Sequence, residues 1–213
     1  MKMNSRAFES AHPRWFAAAI FAKKARTKVA LVLAVWCLAE GVYEMEQPLD
    51  LLQPDVWLFA ALSLIVAGVS LRIAAHGRLR KKKDLATDGV YSLCRHPLYL
   101  GSMLLTLGFC ILFDDGANYV IASAYFLTFY PLTIGWEEVR LGERYGDAHR
   151  VYCETTPLLL PLGCFRRGEF HWMESLRRGG AALLAGTAGL VVFAASQHAL
   201  MRLVMRLVVH PAH

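Results

Sequence analysis

Asp88-Gly-Val-Tyr-Ser-Leu-Cys-Arg-His-Pro-Leu-Tyr-Leu-Gly101 puts an arginine, a histidine and two tyrosines at the entrance of one apolar run, and Trp136-Glu-Glu138 puts two carboxylates at the end of the next. Charged groups beside segments that read as membrane helices are costly enough to need a reason. Pro97 suits the first residue of a helix, where its missing N–H costs nothing and its fixed φ matches the helix start. His96 then falls near the cap, where unpaired backbone donors and the positive dipole end attract an anion such as a carboxylate. Arg95 adds a permanently charged fork for the same group. Tyr99 lies about one turn further along, and Gly101 lets a backbone or a ligand approach closely. Gly89 and Tyr91 read as a turn and an aromatic lid for a flat base, and Glu137 and Glu138 offer acceptors for an ammonium or for ribose hydroxyls. Together these groups suit a zwitterionic nucleoside cofactor carrying a carboxylate, an amine, a ribose and an adenine.

Outside the motif, 56% apolar residues and a mean hydropathy of +0.37 exceed what a soluble domain of this length carries. Val56 to Leu71, Pro97 to Phe113, Gly116 to Trp136 and Gly179 to Met201 are free of charge, each near the length that crosses about 30 Å of hydrocarbon. Val29 to Tyr43 makes a fifth run, marred by Glu40. The expected fold is therefore all-α, an integral membrane helical bundle of about five transmembrane helices with a cytosolic cofactor pocket. Seven bases precede the first run, residues 46–55 carry only acids, residues 72–96 carry seven bases including Arg80-Lys-Lys-Lys83, and the next loop offers Asp114-Asp115. By the excess of Lys and Arg in cytoplasmic loops, the N-terminus, the motif and the Glu-Glu pair face the cytosol.

The net charge of +6 then reads as topology and attraction to anionic membrane lipids, not as a nucleic-acid surface. Five cysteines without Cys-x-x-Cys spacing indicate no disulfide framework, and the dispersed histidines indicate no metal site. Residues 1–28 read as an uncleaved cytosolic extension, with Phe8, Trp15, Phe16, Ile20 and Phe21 among bases as in a helix lying on the membrane, or else as a tail. Residues 29–162 form the membrane core, with Glu137 to Tyr152 continuing the fourth run as an amphipathic helix. Residues 163–213 form a C-terminal linker and either one transmembrane helix or a helical hairpin, with Arg202 and Arg206 positioned to snorkel to a headgroup layer. Singly, the motif residues have bland readings: Arg95 as an anchor, Tyr91 and Tyr99 as interfacial aromatics, Glu137 paired with Arg140 on its own helix. Jointly, those readings account poorly for Arg-His-Pro at a helix start with paired carboxylates at the end of the following span.

Arg95-His-Pro-Leu-Tyr-Leu-Gly101, Gly89-Val-Tyr91, Glu137-Glu138 and Arg144-Tyr-Gly146…Tyr152…Pro157…Pro161 resemble the isoprenylcysteine carboxyl methyltransferases and related phospholipid methyltransferases over roughly residues 55 to 162. The resemblance implies S-adenosylmethionine (SAM) as cofactor and a lipidic substrate, with carboxylate or amine acceptor, entering from the bilayer. It carries cofactor contact to Tyr91, Arg95, His96, Tyr99, Gly101, Glu137 and Glu138, and a role toward the acceptor to Glu138 and Arg144. Leu158, Leu159 and Leu160 stand where family members often have a basic or polar residue, which leaves the headgroup preference open. In-line methyl transfer draws on proximity and exclusion of water. Arg144 would orient a carboxylate, whereas an amine would want Glu138 as proton acceptor.

Two other classes share some of these features. Membrane sterol and steroid reductases have an Arg-His-Pro-x-Tyr-x-Gly block and a later Arg-Tyr-Gly…Tyr-Cys string, but usually asparagine where Leu98 stands, Asp-Glu in place of Glu-Glu, and extra basic residues for the phosphate of NADPH. A non-catalytic membrane scaffold predicts polar groups at mid-span, yet here they gather at the cytosolic ends.

Overall fold

The computed structural model describes residues 13–43, 49, 55–78 and 84–209, with backbone alone at 41–43, 178 and 197–209. Phe8, the acids Glu46 and Asp50, the Arg80 to Lys83 run and the side chains of Arg202 and Arg206 lie outside what is described. Among the described residues the architecture is all-helical: α1 (Pro13–Tyr43), α2 (Val56–Arg78), α3 (Pro97–Phe113), α4 (Gly116–Tyr145), α5 (Asp147–Thr155), α6 (Trp172–Ser175) and α7 (Ala181–Val209). A 3₁₀ turn at Val90–Ser92 precedes α3, and a π turn at Leu176–Gly180 leads into α7.

Local chemistry sets the helix ends that matter for the site. Pro97 begins α3, as its fixed φ dictates. Asp114 closes α3 in the left-handed region (φ 50), and Asp115 then caps α4, its carboxylate accepting from Ala117 N (2.8 Å) and Asn118 N (3.2 Å). This two-residue device folds α3 and α4 into an antiparallel hairpin, so that the start of α3 meets the end of α4. Gly146, at φ +53, breaks the chain between α4 and α5.

Packing between α2 and α3 is set by small residues. A Cβ on Gly68 would lie 2.7 Å from both Gly101 O and Leu105 N, and one on Gly108 would lie 2.8 Å from Ala61 O. Close backbone approach of this kind is how apolar helices associate where lipid offers no hydrophobic drive. Leu58, Ala61, Ile65, Val69, Leu112 and Ala194 fill the core beside this seam. Helix α1 packs along α4, with Trp15 against Gly135 and the Tyr125 hydroxyl donating to Arg26 O (3.0 Å).

Several expectations change here. From Pro13 onward the extension and the first run form one uninterrupted helix, α1, since Arg26 and Lys23 find partners on α3 and α4 and nothing breaks the chain between Pro13 and Val29. Within the tail, Ala181–Val209 is one continuous helix, not a hairpin. Residues 163–171, expected as linker, are tied to the core by His171 N to Gly77 O (3.1 Å) and by Arg78, which pairs with Asp88 and donates to Glu169 O (3.1 Å). Among the described residues one helix, α2, is long and apolar enough to cross a membrane by those criteria alone; α3 and Ala181–Ser196 are apolar but shorter. Asn118, Ser123, Thr128, Pro131 and Thr133 dilute the fourth run, and Glu40 the first. Even so, Leu31, Val35, Trp36, Trp57, Phe59, Val66, Val120, Leu127, Leu184 and Val192 all face outward, an apolar exterior beyond that of an ordinary soluble monomer.

Candidate active site

The motif loop is shaped by a strap formed by residues 157–166. Arg95 N donates to Pro157 O (2.8 Å), His96 N to Leu158 O (3.1 Å) and Gly163 N to Leu93 O (2.9 Å), while Gly89 pairs with Arg166 in an isolated antiparallel bridge. Gly163 is obligatory there: a Cβ would fall 2.1 Å from Ser92 O. Tyr152 closes the other side, its hydroxyl donating to Tyr91 O at 2.6 Å. The strap alters one expectation. The backbone donors of Arg95 and His96, which the sequence offers to an anion, are occupied by strap carbonyls, and those of Tyr99 and Leu100 turn back to His96 O (3.1 and 3.2 Å). Anion binding at this helix start therefore falls to side chains.

The α3/α4 hairpin brings Arg95, His96 and Tyr99 against Glu137 and Glu138. Arg95 pairs with Glu138 and also donates to Cys153 Sγ (2.8 Å); His96 Nε2 lies 2.7 Å from Glu138 Oε1. An ionised carboxylate only accepts, so Nε2 carries the proton. Tyr99 donates to Glu137 Oε1 (2.9 Å) and receives a hydrogen bond from Arg26, which lies 3.6 Å from the same carboxylate oxygen. Burial alone would push the Glu138 carboxyl up, but the His96 hydrogen bond, with the charges of His96 and Arg95, holds it below the usual carboxylate range. Burial likewise lowers the buried His149 imidazole, against the pull of Glu138 and with the push of Arg95.

Glu138, His149 and Cys153 bring ligand-type atoms within 4.8 Å of one another. Arg95, bonded to both Glu138 and Cys153, puts a positive charge where a metal cation would sit. The cluster is better read as a polar network that fixes Arg95. It has a pH signature. Both His149 and Glu138 bind a proton less readily in the folded state, so stability falls with acidification, first below the ordinary histidine value of 6.5 and again below the carboxylate value of 4.5. The thermal midpoint in detergent is expected to drop between about pH 7 and 5.5, and His149→Gln to flatten that step. An equally steep drop in the variant would contradict this assignment.

Two cavities meet at this network. The larger, about 1160 Å³, is lined by Tyr91, Arg95, His96, Tyr99, Trp136, Glu137, Arg144 and Tyr145 among others, and its charges nearly balance: Arg95, Arg140 and Arg144 against Asp84, Glu137 and Glu143. Arg95 Nε is buried there without a partner. The smaller, about 600 Å³, is walled by α1, α2, α3, α4 and α7 and is mostly apolar. Leu98, Tyr99 and Glu137 line both, so they form the wall between them.

Of the residues expected at the site, Tyr91, Arg95, His96, Tyr99, Glu137 and Arg144 line the larger cavity. Gly101 does not: its Cα faces Gly68 O and the Arg72 side chain, in the seam between α2 and α3. Glu138 is on the wall of neither cavity and instead holds Arg95 and His96. Arg26, Arg72, Trp136, His149 and Tyr130 were not anticipated. Trp136 lies between Lys23 (3.3 Å from the ring centroid) and Arg140 (5.4 Å). The signal for Arg26 was its place among bases flanked by aromatics, which also fits a surface anchor.

Residues 56–148 match the phospholipid methyltransferase family model. The chain is 35% identical to a cobalt-zinc-cadmium resistance protein of Cupriavidus metallidurans, an alignment covering 52% of this chain and 54% of the relative. It is 32% identical to a nickel-cobalt-cadmium resistance protein of Alcaligenes xylosoxydans xylosoxydans (53% and 56% covered) and 29% identical to a protein-S-isoprenylcysteine O-methyltransferase of Schizosaccharomyces pombe (47% and 42% covered). The chain thus spans about half the length of the curated relatives it matches. No solved structure matches.

Proposed function

From the match of residues 56–148 to the phospholipid methyltransferase family and the likeness to an isoprenylcysteine O-methyltransferase, we propose that the chain is a multi-pass membrane enzyme that transfers a methyl group from SAM to a lipidic acceptor at the cytosolic face. The observation that carries this reading is the meeting of a charge-balanced cavity and an apolar one at a single thin wall, Leu98, Tyr99 and Glu137. A water-soluble zwitterion suits the first and a lipid chain the second. The distribution of bases along the chain supports the cytosolic placement, and the outward apolar side chains support the membrane setting.

The larger cavity's residues fit the cofactor's chemistry. The orphaned Arg95 Nε, with Arg144, suits a carboxylate; Glu137 suits a cation; Tyr91, Trp136 and Tyr145 offer aromatic faces to a base. When bound, SAM supplies an electrophilic methyl group. The chain's own work is to hold the acceptor in line across the wall and to keep water out. Glu138 acts as a positioning residue for Arg95 and His96, and Arg144, facing the larger cavity, serves the cofactor side.

Purified protein in detergent is expected to bind labelled SAM and not NADPH, and to move the label into a lipid extract. Glu137→Gln should weaken SAM about tenfold or more, the loss expected for one charge-assisted hydrogen bond. Binding of NADPH in preference to SAM, or undiminished affinity in Glu137→Gln, would overturn the reading.

A further inference from the structure

We propose that Arg26, on the helix preceding the matched segment, selects the acceptor by receiving the anionic head of a single-chain lipid acid in the smaller cavity. The inference rests on the methyltransferase reading and names its acceptor class. Beyond Arg26, the cavity is lined by Leu33, Leu38, Leu105, Phe109, Phe113, Ile121, Phe126 and Phe193, with Cys37 and Cys110. Among the described residues its charged groups and bases are Arg26 from α1, Arg72 and His76 from α2 and Glu137 from α4, with the phenols Tyr99, Tyr125 and Tyr130 beside them. Two permanent cations face one carboxylate, Glu137, which lies 3.6 Å from Arg26 and accepts from Tyr99, so one positive charge is left in excess. An ammonium head would be repelled there, and a carboxylate drawn in.

Both arginines are held in place. The Tyr125 hydroxyl fixes the backbone of Arg26, and the guanidinium donates to Tyr99, at the wall between the cavities. Arg72 donates to Ser102 and to Leu98 O (3.3 Å), yet its Nε is buried without a partner. About 600 Å³ is the size of a site for one small ligand and suits one lipid chain better than two.

The acceptor class also suits the chemistry. A carboxylate oxygen takes the methyl group as a carbon–oxygen bond forms and the carbon–sulfur bond breaks. The negative charge of the acid and the positive charge of the sulfonium cancel, leaving a neutral ester and a neutral thioether, so no base is required. An amine acceptor would need a proton removed beside two arginines.

The test is equilibrium binding of radiolabelled palmitate to the full chain in detergent, without SAM. Unlabelled palmitate is expected to compete at least tenfold better than hexadecylamine. Arg26→Gln should weaken palmitate at least tenfold, and Arg26→Lys should recover part of the loss, with unchanged thermal midpoints showing that both variants fold. Equal competition by the amine on the unaltered protein, which needs no variant, would overturn the proposal, as would full palmitate affinity in Arg26→Gln. Because SAM is absent, palmitate binding through Arg26 stands even if label transfer fails, and failure here leaves SAM binding untouched.

Discussion

Arg95→Met is expected to lower stability by about 3 kcal/mol and to remove SAM binding. The Arg95 guanidinium lies on Glu138 and Cys153, with side chains only 15% and 20% exposed for the ion pair. Deleting one member of such a pair strands the other charge where water reaches it poorly, which costs more than the pair itself contributes. The lower end of the usual range applies because both groups keep some solvent. His96 would still donate to Glu138 but cannot replace a permanent cation. The double variant Arg95→Met with Glu138→Gln separates the two roles. It carries no stranded charge, so much of the lost stability should return, while SAM binding should not, since the donor facing the cavity is gone. Unfolding curves in detergent and SAM titrations on the three proteins check this. A single variant as stable as the parent, or a double variant no better than the single, would contradict it.

The second large effect is expected at Gly68, far from any ligand. In Gly68→Val the new Cβ alone would sit 2.7 Å from Gly101 O and from Leu105 N, and both atoms are backbone. A flexible side chain could swing aside; a helix axis must move. Overpacking commonly costs about 1–3 kcal/mol, and a backbone collision lies at or beyond the top of that range. Because α3 carries Arg95, His96 and Tyr99 at its start, displacing it from α2 should also loosen the wall between the cavities. Gly186→Ala supplies the contrast, since nothing lies within 4 Å of its Cβ; its thermal midpoint should match the parent's. Equal destabilisation by both substitutions would show that the α2/α3 seam is not tight.

Much of the site was legible because local rules set it. Pro97 marks the start of α3 and Asp114-Asp115 the turn, and these two points suffice to bring Arg95-His96 against Glu137-Glu138; the stretch Glu137 to Tyr152, read as one amphipathic helix, instead breaks at Gly146, whose positive φ ends α4. What stayed hidden depends on partners distant in the chain. Arg72 counts as one more cytosolic base until its contacts with Leu98 and Ser102 are known. Lys23 and Arg26 read as an extension's charges, yet they dock on Trp136 and Tyr99 and make α1 part of the core. The strap defeated the anion-site expectation for the same reason: no local pattern says that the carbonyls of Pro157 and Leu158 will reach Arg95 and His96 first. The family resemblance assigns Gly101 to the cofactor, while glycine itself permits either a ligand or a backbone to approach; the structure brings the backbone of Gly68 there.

The most direct test of the two-cavity arrangement is photo-crosslinking with a SAM analogue carrying a photoreactive group on its base, followed by mapping of the labelled peptides. Label is expected on the segments 84–99 and 136–152, which line the larger cavity, and excess SAM should suppress it. Label confined to the apolar cavity's α1 or α7, or suppression by NADPH in place of SAM, would contradict it.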